Sequence, residues 1–527
     1  MRTRFTFGLV MVAAVGLAAA CSTPSTPGTT NSSGGSGGGT IVVALADDPG
    51  TIDPTLANTL ASRVVFTSFC EKLYDVNNAL QPVPQLATAL PTTSSDGLTV
   101  TIPVRTGAKF NDGTPFNAQA VVTSLQRDLT LTGSGRAKEI ASIQSVSAPN
   151  ATTVQIKLKH PFSPLVAQLA DRSGLVMSPT ALKKEGTKFA DNPVCVGPFK
   201  FASRVEGTSL SFVKAPDYYN ASKVKAAGIT YKIISDPTTR AANLQSGDVQ
   251  AAERLDPTDV PRLKSDNSLK ITGISSLGYQ GITINVGNVN GDDKPAGKVS
   301  TPLGQSPQLR QAFEMALDRD TINKAVWDNQ QTVDCTPLPT SMAYRPDNVA
   351  CTPFNTAAAK QLVASSGFPT PVPVTLVIPA NSGVDRLAQV IQSMENAAGF
   401  KVTIKPVDFT AALAAGQAGK FDTFLVGWSG RLDPDGDLSG IVTTDGANDY
   451  SGLQDAQLDQ LISQSASVTG VGPRKAEYTK VLQRLQQLRP IIYLYHDTYF
   501  LGTSTKLTGV DYRADGIPRF AFASLSN

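Results

Sequence analysis

Apolar and polar positions alternate in two registers along this chain. Short β-branched runs read as strands: TIVVAL at 40–45, TVQIKL at 153–158, ITYKII at 229–234, GITINV at 281–286, VTLVIP at 374–379 and KVTIKPV at 401–407. Between them the apolar spacing lengthens to three and four. SPQLRQAFEMAL predicts a helix with Ser306 as N-cap and Pro307 as its first residue; Leu309, Ala312, Phe313, Ala316 and Leu317 line one face. NTAAAKQLVASSG predicts another, capped by Asn355 and stopped by Gly367. DRLAQVIQSMENAAGFKVTIKPV reads as helix, glycine, strand, and AEYTKVLQRLQQL as a late helix. Strands interleave with helices throughout, which places the chain in the α/β class. No internal repeat is visible.

The N-terminus follows a different pattern. MRTR supplies positive charge, and FTFGLVMVAAVGLAAA is an apolar run, short for a spanning helix, that ends in small residues before Cys21. Residues 1–20 therefore read as a secretory signal. Cleavage directly before a cysteine resembles a bacterial lipoprotein signal, with Cys21 as the lipidation site; ordinary secretion with a free Cys21 is the alternative. Residues 21–39, STPSTPGTTNSSGGSGGG and its leading cysteine, cannot bury enough apolar surface to offset their ordering entropy and read as a flexible tether. No later segment is long and apolar enough to span a bilayer.

At 527 residues the chain is long enough for several domains or two large lobes. Its net charge of +3, two positives of which lie in the signal, gives no reason to expect nucleic acid or an anionic membrane surface as partner. Four cysteines remain after Cys21. Outside the cytoplasm an even number suggests disulfides, and sequence alone leaves three connectivities. Cys335 and Cys351 are close in the chain and bracket a Pro-rich loop, so they are paired here, which leaves Cys70 with Cys195; four buried free thiols are the alternative. With two histidines and no CxxC, neither a metal site nor a cofactor is expected.

One long run carries a resemblance. SDGLTVTIPVRTGAKFNDGTPF, residues 95–116, is similar to the signature region of the family 5 extracellular solute-binding proteins of ABC transporters. CEKLYD near residue 70, VGPFKF at 196–201, LRQAFEMALDRDTI, FDTFLVGW and IIYLYH follow in the family's order, so the resemblance covers nearly everything after residue 40. Two features depart from the pattern: Gln119-Ala120 stand where an acidic pair is usual, and Cys195 occupies a small-residue position. The resemblance implies a two-lobed periplasmic-binding-protein-like fold of the large, type II/cluster C kind, with a ligand cleft between the lobes. Lobe I would be residues 40–275 completed by 495–527, and lobe II residues 276–494. It also implies a small solute, peptide or peptide-like, ABC permease subunits as partners, and a monomer.

The stretch GWSGRLDPDG, 427–436, falls where peptide-binding members place an aspartate against the peptide's amino group; here that position is Arg431. A guanidinium donates and cannot accept, so an Arg431 facing the cleft would hold an acidic or carbonyl-rich part of the solute, and would point to an acidic, amino-blocked or non-peptide solute. Its alternative is structural pairing with Asp433 or Asp435, where Asp433 would otherwise be a displaced ligand residue. Trp428 offers a stacking face at the cleft, or else is a core tryptophan. Tyr279 lies where the chain crosses between lobes and lines the cleft or merely packs there. Thr59, Phe409 and Thr410 are further cleft candidates. Asn285 reads as structural support, and His496 as a satisfied polar residue.

An enzyme is the different-class reading. GWSGR lacks the final glycine of a nucleophile elbow, Ser222 and Lys225 form an S-x-x-K with no companion motif, and neither histidine sits in a recognisable motif. There is no Walker loop. A solute-binding component without enzymatic activity is the expectation; an anchored receptor or hydrolase-like lipoprotein with no transport role is the alternative.

Overall fold

The computed structural model describes residues 38–526 apart from 293, 381 and 445. The signal, the lipidation site at Cys21 and the tether up to residue 37 lie outside the described residues. The tether's last two residues do not behave as tether. The first strand is Gly38–Leu45, because the Gly38 amide donates to the Lys225 carbonyl at 3.1 Å and continues the ladder.

Two large sheets organise the body. The first has seven strands in the order Leu269–Ser275, Thr498–Ser504, Ala251–Ala252, Gly38–Leu45, Ala226–Ile233, Ser209–Lys214, Phe199–Val205. The second has six: Thr332–Val333, Ile491–His496, Tyr279–Ile284, Thr423–Trp428, Val372–Pro379, Phe400–Val407. A smaller antiparallel sheet holds Thr99–Pro103 between Thr92–Thr93 and Thr153–Leu158, with Ile143–Asn150 outside. Each large sheet has its own apolar core, one around Phe69, Phe212 and Tyr231, the other around Phe313, Leu376 and Phe400.

Local chemistry explains the elements. Ser306 accepts from the Leu309 amide and starts Pro307–Ala316, whose Leu309, Ala312, Phe313 and Ala316 are buried. Asn355 caps Thr356–Ala364 in the same way, and that helix ends three residues before Gly367. Asn117 caps Ala118–Thr130, so the chain starts this helix without an acidic pair at 119–120. Val372–Pro379, the helix Ser382–Ala398 and the parallel strand Phe400–Val407 form one β–α–β unit. The last long helix runs Val471–Leu488, five residues longer than its apolar pattern suggests, since Pro473 sits comfortably in its first turn.

The chain passes from the first sheet to the second through residues 276–278, and returns through residue 497. Two disulfides fasten the body, Cys70–Cys195 and Cys335–Cys351.

Candidate ligand-binding cavity

Residues from both large sheets and from the second crossing line a cavity of about 340 Å³. Its wall is rich in aromatic faces: Tyr279, Trp327, Phe409, Trp428, Tyr450, Tyr495 and Tyr499. Polar groups stand among them, including Asp47, Thr59, Arg254, Gln280, Asn448 and Asp497. Apolar and aromatic walls with a few placed polar groups are the usual make-up of a small-solute site.

Trp428 closes the Thr423–Trp428 strand at this wall. Its indole N–H donates to Asp437 at 2.9 Å, and the guanidinium of Arg431 lies 4.3 Å from its ring centre. Tyr279, paired with Trp428 across the sheet, lines the cavity and also packs edge-on against Tyr493 at 4.8 Å. Thr59 lines it too, while its hydroxyl caps Leu60–Phe69 and donates to the Pro49 carbonyl at 2.9 Å. Phe409 reaches the wall from the first turn of Phe409–Gln417.

Three expected site residues are not in the wall. Thr410 is exposed on the same helix, its amide held by Asp408. Asp433 is buried and grips Arg474 through two hydrogen bonds, at 2.5 and 2.8 Å. Arg431 is 3 % exposed and turned away from the cavity. Its pairing is structural, but with a different acid from those expected: Nε lies 3.1 Å from Asp171 Oδ2, and Nη2 lies 3.9 Å from Glu139. Arg63 meets the other Asp171 oxygen at 3.1 Å and also donates to the Gly430 carbonyl. Burial alone would raise the Asp171 carboxyl; Arg63, Arg431 and Arg172 overcome it and hold the carboxyl well below the usual range.

The glycines of the 427–436 loop have a packing reason. Gly430 has φ +74°, and a Cβ there would fall 2.1 Å from the Leu277 carbonyl carbon; one on Gly278 would fall 1.7 Å from the Trp428 oxygen. The loop is pressed against the first crossing, with no room for a side chain on either partner. The other crossing neighbour, His496, is buried between the Gly278 carbonyl and Asp334. Asn285 donates to the carbonyls of Asn288, Gly419 and Phe421 and so ties its own loop to the one before Thr423–Trp428.

Sequence reading missed Trp327, Tyr450, Tyr495, Asp497 and Tyr499 as wall residues. IIYLYHDTYF carries the signal, since it alternates aromatic and polar groups across the second crossing, yet nothing in it says which side chains turn inward. One cluster of potential metal donors occurs among the described residues, Asp334 with Cys335 and Cys351. Its sulfurs are joined as a disulfide, and Asp334 is paired with Arg345.

Residues 81–449 match the family of bacterial extracellular solute-binding proteins, family 5. The chain belongs to this family. Its members are the non-enzymatic, extracytoplasmic solute-binding proteins of ABC transporters. Among curated relatives, the glutathione-binding protein GsiB of Pectobacterium atrosepticum is 28% identical over 499 residues, covering 92% of this chain and 94% of that one. Among solved structures, DppA from Helicobacter pylori in complex with the peptide STSA superposes with a TM-score of 0.84 at 21% identity, over 93% of this chain and 99% of that one. AppA from Bacillus subtilis in complex with a nonapeptide gives the same TM-score at 22% identity, over 93% and 99%. These likenesses establish the two-lobed fold of family 5 binding proteins for this chain.

Proposed function

We propose that this family 5 protein is lipid-anchored at Cys21 to the outer face of the bacterial cytoplasmic membrane and captures a peptide or peptide-like solute for an ABC permease. The cavity carries this reading. It offers aromatic faces for side chains and polar groups for backbone amides, contributed by both sheets. The relatives named for glutathione and for peptides support the same solute class. Because Arg431 is sealed into an ion pair outside the wall, the argument from it to an acidic or amino-blocked solute lapses.

On this reading lobe I is residues 40–275 completed by 495–527, lobe II is residues 276–494, and the hinge is the pair of crossings at 276–278 and 497. A solute touching both sheets favours the closed arrangement by the contacts it adds, and the closed monomer is what the permease receives. The signal and tether keep the body extracytoplasmic and within reach of the membrane.

The test is a thermal-shift panel on the full chain in detergent, with glutathione, dipeptides and tripeptides set against sugars and nickel–histidine. Peptide-like solutes should raise the midpoint with the logarithm of their concentration. A midpoint moved only by sugars or by the nickel complex would overturn the solute class.

A further inference from the structure

We infer that Asp497 receives a cationic amine of the solute. This deepens the proposed function by naming a charge the solute carries, and it rests on that reading.

Asp497 is the single residue between the strands Ile491–His496 and Thr498–Ser504, so it forms the second crossing. Its backbone is fixed there, since its carbonyl accepts from the Ser276 amide of the first crossing at 2.7 Å. Asp497 lines the cavity and is half-buried, whereas its neighbour His496 is fully buried.

The other charged groups of the wall are already committed. Asp47 is paired with Arg254. Asp256 meets Arg386 at 2.9 Å. Arg240 donates to the carbonyls of Ile234, Ser235 and Arg254. Asp408 accepts from the Thr410 and Ala411 amides. Asp497 has no side-chain hydrogen bond and no ion pair among the described residues. A carboxylate partly withdrawn from water without a hydrogen-bonded partner carries a desolvation cost, and an arriving cation offsets it. Burial pushes its carboxyl up to about 6, outweighing the pull of Arg254 and His496, neither of which is hydrogen-bonded to it.

The sign of the wall agrees. Asp47, Asp256, Asp408 and Asp497 stand against Arg240 and Arg254, and the one arginine the sequence offered as an anion clamp is outside the cavity. Tyr499 and Trp428 add aromatic faces that suit an ammonium. An amine held at a crossing also bears on the hinge itself.

The experiment titrates glutathione and trialanine, each beside its N-acetylated form, into the full chain and into Asp497→Asn. The wild type should bind the free-amine forms at least about tenfold more tightly than the acetylated ones. Asp497→Asn should weaken the free-amine forms by a similar factor and bring the two forms level. Equal binding of both forms by the wild type, or a free-amine preference that survives in Asp497→Asn, overturns the inference and leaves the proposed function standing. Absence of binding by every probe overturns the solute class and this inference together. The wild-type comparison needs no variant, so it stands even where Asp497→Asn fails to fold.

Discussion

The Nε of Arg431 lies 3.1 Å from Asp171, a residue of the other sheet's half of the chain. The contact ties the loop after Trp428 to the segment that carries Arg63, Glu139 and Arg172. It also explains a basic residue after Gly430: the charge answers a buried acid and does not face the cavity. Removing one partner of a buried ion pair leaves an uncompensated charge and costs about 3–5 kcal/mol. Arg431→Ala is therefore expected to lower the thermal midpoint clearly while leaving the order of preference in a solute panel unchanged. Altered solute preference at unchanged stability would return Arg431 to the binding site.

Both tryptophans of the chain, Trp327 and Trp428, line the cavity. Solute capture should therefore change intrinsic tryptophan emission, and the signal should be absent from the double variant Trp327→Phe, Trp428→Phe. Trp428→Ala should weaken solute binding more than Trp428→Phe, which keeps an aromatic face.

The two disulfides close loops of very different length, 125 residues for Cys70–Cys195 and 16 for Cys335–Cys351. In the chain-entropy account these correspond to about 5 and about 3 kcal/mol. Denaturant unfolding of the paired Cys→Ala variants should rank them in that order, the Cys70/Cys195 pair being the more damaging. The opposite order would show that local strain or residual unfolded structure governs instead.

Several buried carboxyls are pushed up by burial: Asp128 to about 8, and Glu71, Asp435 and Asp449 to about 7. Between their unfolded values, about 4, and these folded values, the folded chain holds more protons than the unfolded one. Stability from these groups is thus lost as pH rises through that window. Asp75, held low by Lys72, Arg519 and Arg513, and Asp171, held low by arginines, act oppositely, losing stability only as pH falls below about 4. The thermal midpoint should be higher at about pH 5 than at about pH 8, and Asp128→Asn should flatten that slope. A midpoint that climbs steadily to pH 8 would contradict these burial effects.

How much of this was legible in sequence depends on the range of the interaction. Strands such as 153–158 and the caps Ser306 and Asn355 follow from local periodicity and side-chain chemistry, and they stand where the pattern put them. The family followed from one long motif. Trp428, Tyr279, Thr59 and Phe409 line the cavity because strand ends and helix starts near a crossing point that way. Arg431 stayed open between the cleft and a structural pairing, and the acids offered for that pairing were the near ones, because Asp171 lies 260 positions earlier and no local pattern reports a contact of that range. Asp497 was passed over for the same reason in reverse. Its distinction is the absence of a partner, and that becomes visible only once every neighbour's hydrogen bonds are placed.

The most direct test of the account is calorimetric titration of the full chain with glutathione and a set of free-amine di- and tripeptides, repeated on a double wall variant, Trp428→Ala with Tyr450→Ala. Members of this set should bind saturably at one site, and binding should be strongly weakened when the wall is cut back. Binding that is unaffected by the wall variant, or no binding by any of these solutes, would contradict a peptide-like solute held in the cavity between the two sheets.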